Sequence, residues 1–295
     1  MRIPIEKFIT PDRKDSIKRT WYKFSSNPLS IIGLISVLIV TLSAIFAPVL
    51  APYPESWGRW VDFSQACQPP SWKHPFGTDI YGRDILSRIM FGFRYDLLMA
   101  ICILAMVVPT GTFLGLIAGY YRGTWIDTVI MRITDIFLAI PSIVLALAIC
   151  ALLKPSLFNS MMAVSLLWWP WYSRLAYSIA SSLRNEYFVL AAELIGAHPL
   201  YIIFSEILPN CLAPIFTKMT LDVGWVILIG ATLSFVGLGA QEPTPALGTM
   251  VSVGAKYMPD YWWMTIFPAL AIAFTILGFN LLGDGIRDAL AIEEI

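Results

Sequence analysis

Charged residues are scarce in this sequence. Of its 295 residues, 20 are lysine or arginine and 20 are aspartate or glutamate, so charged residues make up 14% and cancel to a net charge of zero. Soluble domains carry about a quarter charged residues, and a nucleic-acid-binding surface needs an excess of positive charge. The composition therefore argues against a soluble domain and against nucleic acid as a partner.

Residues that form disulfides or metal sites are also few. The chain has four cysteines and two histidines. The cysteines are Cys67, Cys102, Cys150 and Cys211, and none of them forms a close pair in the sequence. The histidines, His74 and His198, are far apart in the sequence. We therefore predict no disulfide framework and no metal site.

Motifs for nucleotide binding and hydrolysis are missing from the sequence. There is no G-x-x-x-x-G-K-[ST], no G-x-G-x-x-G, no H-E-x-x-H and no G-x-S-x-G. His74 and Asp84 lie in one polar stretch, but no second histidine stands at ligand spacing. We predict that this chain is not an enzyme, has no catalytic residue and binds no cofactor itself.

Apolar residues, by contrast, make up 57% of the chain, and the mean hydropathy is +0.70. A run of about 20 apolar residues crosses a bilayer as a helix, because a helix pairs its backbone groups without water. The sequence predicts an all-α, polytopic membrane protein with six spans and a proline kink at Pro141 in the third. The predicted spans are 29–50, 97–119, 131–153, 160–183, 213–239 and 262–283.

Basic residues near the span ends predict the orientation, since cytoplasmic flanks are enriched in lysine and arginine. The first 23 residues contain Arg2, Lys7, Arg13, Lys14, Lys18, Arg19 and Lys23. Both termini are therefore predicted to be cytoplasmic. The predicted parts are a cytoplasmic tail (1–28), the first span (29–50), an external segment (51–96), a five-helix core (97–290) and a C-terminal tail (291–295).

A helix too polar to be a span is predicted at 186–208, between spans four and five on the cytoplasmic side. Pro209 is expected to end this helix. Residues 185–210 contain no lysine or arginine but do contain Glu186, Glu193 and Glu206. An amphipathic helix resting on anionic lipid would need basic residues on its polar face. We therefore favour a protein partner for this helix over the lipid surface.

The same helix resembles the EAA loop of bacterial ABC-importer permeases, with the pattern A-A-x-x-x-G followed by L-P. The matching residues are Ala191, Ala192, Gly196, Leu208 and Pro209. Leu190 stands where the family usually has glutamate, and Glu206 where it usually has an apolar residue. Further segments, His74–Gly92, Ala139–Leu147, Leu233–Gly248 and Asn280–Leu290, are similar to the second permease subunit of dipeptide, oligopeptide and nickel importers.

The resemblance implies a type I ABC importer permease in a prokaryotic inner membrane. A paralogous permease would complete the path, two cytosolic ATPases would bind ATP and Mg, and an extracytoplasmic binding protein would deliver the solute. The helix at 186–208 would be the coupling helix that docks on an ATPase. Its predicted contact residues are Glu186, Ala191, Ala192, Glu193, Gly196, Ala197, Leu208 and Pro209.

Polar residues inside the predicted spans suggest a path for the solute. Lys218 and Asp222 share one helical face, and charges at membrane depth usually face a cavity or a partner. They either line the path or neutralise each other near the headgroups. Arg174 either lines the path or extends its charge towards the membrane surface, and Ser234 is a further candidate path residue.

Two further points have alternative interpretations: the role of a glycine repeat, and the energy source for transport. Gly111, Gly115 and Gly119 form a small-residue face that serves either packing within the chain or contact with the second permease. The alternative function is a stand-alone secondary transporter driven by an ion gradient. Such transporters usually contain internal repeats, and no convincing repeat is found between the first three and last three spans.

Overall fold

The structure is a computed structural model that describes residues 11–290, with side chains described from 18 to 289. The predictions for Arg2, Lys7 and the tail 291–295 lie outside these residues, as do the side chains of Arg13 and Lys14. The described part is helical, and the β-pairing found in it is one isolated bridge between Thr78 and Asp84. The predicted all-α class is confirmed for this part of the chain.

Twelve α-helices follow one another in the described residues. They are α1 (Pro11–Ser26), α2 (Pro28–Ile45), α3 (Ala47–Leu50), α4 (Ile85–Tyr120), α5 (Trp125–Ala139), α6 (Ser142–Leu152), α7 (Leu157–Leu183), α8 (Tyr187–Leu194), α9 (Pro199–Tyr201), α10 (Leu208–Phe235), α11 (Leu247–Ala255) and α12 (Trp263–Leu290). Short 3₁₀ turns occur at Pro54–Trp57 and Phe63–Gln65, and a π-helical turn occupies Ile202–Ile207.

Four helical stretches in the described residues are long and apolar enough to cross a membrane. They are Pro28–Ile45, Ile85–Tyr120, Pro199–Phe235 and Trp263–Ala289. The bent pair α5 and α6 would be a fifth if it counts as one span. Helix α7 is long enough at 27 residues, but its tryptophans, tyrosines, serines and Arg174 lower its mean hydropathy.

Helix α4 begins 12 residues before the predicted start of the second span at 97. Asp84 caps its N-terminus, because its carboxylate accepts a hydrogen bond from the Ser87 backbone N–H at 2.8 Å. Arg88 and Asp96 lie in its first turns and are buried by protein. The predicted span left out residues 85–96 because they are partly polar. The hydropathy of a sequence does not show that polar residues are buried by other parts of the chain.

The predicted kink at Pro141 is a complete break. Helix α5 ends at Ala139, α6 begins at Ser142, and their axes differ by 84°. Ile140 is extended, at φ −95° and ψ 131°, because a residue that precedes proline is sterically pushed out of the helical region. The prediction of one kinked helix over 131–153 was therefore wrong.

Helices α4 and α7 pack closely along the predicted glycine face. A Cβ atom added at Gly119 would lie 2.6 Å from the Cβ of Ala180, and Cβ atoms at Gly111 and Gly115 would collide with the carbonyl oxygens of Trp169 and Ser173. Glycine is required at these positions because the two backbones approach one another. Packing within the chain, one of the two predicted roles, is thus confirmed.

The single helix predicted over 186–208 is instead divided. Helix α8 ends at Leu194, and a new helical run of 37 residues extends from Pro199 through the π-helical turn to Phe235. Pro209 is the second residue of α10, directly after the π-helical turn, and the helical run continues past it. The prediction that Pro209 ends a helix was therefore wrong.

The connection between α3 and α4 is held to the loop after α10 by buried charges. Arg83 donates to Asp79 at 2.7 Å and to Glu242 at 2.9 Å, and Arg88 donates to Glu242 at 3.3 Å. The side chain of Arg88 is only 1% exposed, and it also donates to the Ser56 carbonyl oxygen. Two cations thus meet two carboxylates, which fixes this segment against the helical core.

Candidate functional site

Helix α8 begins after Glu186 and ends in a glycine-dependent turn. The Ala197 N–H donates to the Ala192 carbonyl at 3.0 Å, and the Gly196 N–H donates to the Glu193 carbonyl at 2.9 Å. These two bonds form a Schellman motif, in which the residue after the helix adopts the left-handed conformation. Gly196 does so, at φ +80°, and redirects the chain towards α9.

One face of α8 is buried in the core of the chain. Val189 and Ala192 belong to the same apolar cluster as Ile202, Ile203 and Ile207 of the π-helical turn. Since a π-helix pairs residues five apart, Ile202 and Ile207 fall on one face of that turn. The turn therefore directs its isoleucines towards the core beside α8.

The opposite side of α8 presents large apolar side chains that the rest of the described residues leave uncovered. Tyr187 is 89% exposed, Leu194 is 88% exposed and Ile195 is 85% exposed. Ala191 and Gly196 are exposed beside them, and a Cβ at Gly196 would meet nothing within 4 Å. An exposed cluster of this kind is typical of an interaction surface.

Glu193 fixes α8 to the ends of two long helices. Its Oε1 accepts a hydrogen bond from the Tyr120 hydroxyl at 2.7 Å and pairs with Arg184 Nη2 at 2.8 Å. Arg184 also donates to the Tyr120 carbonyl at 3.2 Å, and its guanidinium lies 4.9 Å from the centroid of that ring. A force on α8 would therefore reach α4 and α7 directly through these three side chains.

The predicted coupling residues occupy different positions around this turn. Glu186 and Ala191 are exposed, whereas Ala192 is buried and Ala197 is partly buried. Leu208 and Pro209 lie at the start of α10, separated from α8 by the π-helical turn. Sequence reasoning missed Tyr120 and the role of Arg184, because Tyr120 is 73 residues away from Glu193 along the chain.

A second feature is a cleft between α7, α10 and α12, with a volume of about 540 Å³. It is lined by Leu175, Ala213, Pro214, Thr217, Lys218, Leu221, Asp222, Trp225 and Arg287. Lys218 Nζ lies 3.1 Å from Asp222 Oδ1, and Trp168 Nε1 donates to Asp222 Oδ2 at 3.1 Å. The predicted pair Lys218 and Asp222 therefore lies at a cleft, together with Arg287.

The other two candidate path residues lie elsewhere. Arg174 forms an ion pair with Asp135 of α5 and does not line the cleft. Ser234 is buried near the end of α10, where its carbonyl oxygen accepts from the Gly237 N–H at 3.1 Å. A Cβ at Gly239 would collide with the Ser234 hydroxyl, so this side chain packs against the following loop.

His74, in the segment before α4, is held by hydrogen bonds to two neighbouring side chains. Its Nδ1 lies 3.0 Å from Asp84 Oδ1, and its Nε2 lies 2.9 Å from Gln65 Oε1. Both ring nitrogens are thus used within the chain. Asp84 is the residue that caps α4, so His74 helps to hold the start of that helix.

Residues 111–291 match the family model described as the inner membrane component of binding-protein-dependent transport systems. The chain belongs to this family. Residues 17–70 also match the N-terminal transmembrane domain of oligopeptide transport permease C. The family match covers α8, the cleft and the whole of α10 and α12, so both features described above lie within the region that defines the family.

Curated relatives cover nearly the whole length of this transport component. The dipeptide transport system permease DppC of Alkalihalophilus pseudofirmus is 45% identical over 275 residues, which are 92% of this chain and 88% of that protein. DppC of Haemophilus influenzae is 41% identical, over 94% of this chain and 95% of its own. The di/tripeptide permease DppC of Pseudomonas aeruginosa is 39% identical, over 93% and 91%.

The family membership establishes the general role of the chain. It is a multi-pass permease subunit of a bacterial inner membrane, and ATP hydrolysis in such systems is carried out by separate subunits. Binding-protein-dependent systems in general combine such permeases with ATPases and a solute-binding protein. The chain is therefore a transport subunit and not itself an enzyme.

Gly230 of α10 packs closely against α4. A Cβ at Gly230 would lie 2.5 Å from the Met99 sulfur, so the Met99 side chain of α4 occupies that space.

Proposed function

We propose that this chain imports di- or oligopeptides together with a paralogous permease, two cytosolic ATPases and an external binding protein. The names of the relatives support the solute class, since all three are described as dipeptide or di/tripeptide permeases. ATP and Mg would be bound by the ATPases. The alternative of an ion-driven secondary transporter has no comparable support.

The proposed topology has six spans with both termini in the cytoplasm. Helix α7 would be the fourth span, although it is less apolar than the other long helices, and α5 with α6 would be the broken third span. The run Pro199–Phe235 has 37 residues, or about 55 Å of helix, which exceeds the roughly 30 Å hydrocarbon core. Its first turns would therefore extend out of the bilayer and carry α8 into the cytoplasm.

The observation that carries the proposal is the apolar end of α8, exposed on one side and fixed to α4 and α7 on the other. We propose that Leu194 and Ile195 enter a groove on one ATPase. Fully burying such side chains contributes about 1.5–3 kcal/mol each. A rigid-body movement of the ATPase would then be passed through Glu193 to the spans.

Copurification with the ATPases tests this assignment. Replacing both Leu194 and Ile195 with serine removes about 3 kcal/mol or more of burial, which weakens association by about a hundredfold or more. We expect the double variant to insert normally, to lose its ATPases in mild detergent, and to abolish peptide uptake into proteoliposomes.

The matched control replaces Leu152 and Leu153, of which Leu152 is also 88% exposed but lies at the end of α6. Serine at these positions should leave ATPase retention unchanged. Equal retention by the α8 variant and wild type would contradict the docking role. A reconstituted wild-type complex that imports no peptide would contradict the proposed solute.

A further inference from the structure

The cleft between α7, α10 and α12 has unequal charge. Among the residues whose side chains the structure describes, three charged ones line it, namely Lys218, Asp222 and Arg287, and the others are uncharged. Two cations against one carboxylate leave one positive charge in excess. A cleft of this kind favours a negatively charged group of the ligand.

The carboxylate of Asp222 is already used within the chain. Its side chain is 5% exposed, Lys218 Nζ lies 3.1 Å from both of its oxygens, and Trp168 Nε1 donates to Oδ2 at 3.1 Å. A buried carboxylate with two such donors offers little to a ligand's ammonium group. Asp222 therefore holds Lys218 in place and does not itself face the cleft as a free anion.

Lys218, in contrast, keeps part of its ammonium group accessible. Its side chain is 26% exposed, and Nζ lies 5.3 Å from the centroid of the Tyr172 ring and 5.8 Å from that of Trp171. An ammonium group has three N–H donors, and Asp222 cannot occupy all of them in this geometry. The carboxylate and the two rings thus orient Lys218, which lines the cleft and keeps donor capacity beyond its pair with Asp222.

Arg287 supplies the second cation from α12. It is exposed at the cleft and has no hydrogen-bond or ion-pair partner among the residues that the structure describes. A free guanidinium forms two parallel hydrogen bonds with a carboxylate. Leu175, Leu221 and Trp225 give the same cleft apolar walls.

We propose that Lys218 and Arg287 bind the terminal carboxylate of a peptide while it passes through this cleft. This inference rests on the proposed function. It adds that residues on the peptide's path recognise the carboxylate of the peptide. The volume of about 540 Å³ lies in the range of small-ligand pockets and accommodates a peptide of a few residues. The apolar walls beside the two cations can contact the side chains of peptides of different sequence.

The test measures binding to the permease complex without the binding protein. The complex of this chain, its partner permease and the ATPases is placed in nanodiscs of neutral phosphatidylcholine. Saturation-transfer NMR then gives the dissociation constants of L-alanyl-L-alanine and of its C-terminal amide. We expect the wild type to bind the free acid at least tenfold more tightly, because charge-assisted hydrogen bonds are lost with the amide.

Three variants of the cleft distinguish charge recognition from structural damage. Lys218→Gln should reduce the preference for the free acid to about one, and Lys218→Arg should retain most of it. Arg287→Gln leaves the Lys218–Asp222 pair intact and should reduce the preference severalfold. Lys154→Gln, an exposed lysine between α6 and α7, is the matched control and should change nothing.

Several results would overturn the inference. One is that the wild type binds the free acid and the amide with equal affinity, and another is that it binds neither. A third is that Lys218→Gln weakens the binding of both peptides equally. Loss of the preference in nanodiscs with anionic phosphatidylglycerol would assign the cleft to a lipid headgroup instead. Peptide uptake by the complete system is measured in parallel, so that the proposed function can stand even when this inference fails.

Discussion

At the scale of single residues, Glu193 has the clearest structural role in the candidate site. It connects α8 to Tyr120 and Arg184, and both partners of its ion pair are 28% exposed. For a partly exposed pair that includes a charged hydrogen bond, a contribution of about 1–2 kcal/mol is reasonable. Glu193→Gln should therefore loosen α8 without unfolding the chain.

Hydrogen exchange of the α8 backbone measures this loosening. A loss of about 1–2 kcal/mol should accelerate the exchange of its protected amides by about 5-fold to 30-fold. Glu186→Gln is the control, since Glu186 is exposed at the start of the same helix. Unchanged exchange in the Glu193 variant would mean that apolar packing alone holds α8.

At the scale of elements, the turn after α8 depends on Gly196. Its φ of +80° is unfavourable for a β-branched residue by about 1–2 kcal/mol or more, whereas asparagine tolerates this region. Gly196→Val should disturb the turn and reduce peptide-stimulated ATP hydrolysis by the complex severalfold. Gly196→Asn should retain most of the stimulation.

Gly123 provides a matched control for this turn. It has φ +83°, and a Cβ added there would also meet nothing within 4 Å. Gly123→Val therefore introduces similar backbone strain outside α8 and should leave stimulation near the wild-type level. An equal loss of stimulation in both valine variants would show that the effect is general destabilisation and not a property of the α8 turn.

At the scale of the whole molecule, Cys67 tests the proposed orientation. It lies between α3 and α4, outside the long helices, while the other three cysteines lie within α4, α6 and α10. A membrane-impermeant maleimide added to intact spheroplasts should label Cys67, and Cys67→Ser should abolish that labelling. Labelling only after the cells are opened would reverse the proposed topology.

The rate of this labelling should depend on pH in a defined direction. Partial burial, together with the nearby negative charge of Asp79, raises the pKa of the Cys67 thiol. Since the thiolate is the reactive form, less of it is present at neutral pH than in an ordinary cysteine. The rate should thus increase about tenfold per pH unit and continue to increase above the usual thiol pKa.

The sequence by itself determined the class of this protein. A bilayer requires long apolar runs, so the spans predicted from composition at 29–50, 97–119 and 262–283 overlap α2, α4 and α12. The small-residue pattern at Gly111, Gly115 and Gly119 predicted close helix packing, because only glycine lets two backbones approach. The pattern from Ala191 to Gly196 likewise directed attention to the segment that became α8 and its turn.

Only the tertiary structure decided how polar residues are used. The early start of α4 depends on burial of Arg88 by the segment 51–84, and the anchoring of Glu193 depends on Tyr120, which is distant in sequence. Arg287 joins Lys218 because α12 lies beside α10. In each case a charge or polar group is stabilised by a partner brought near by folding, and local patterns of hydrophobicity contain no information about such partners.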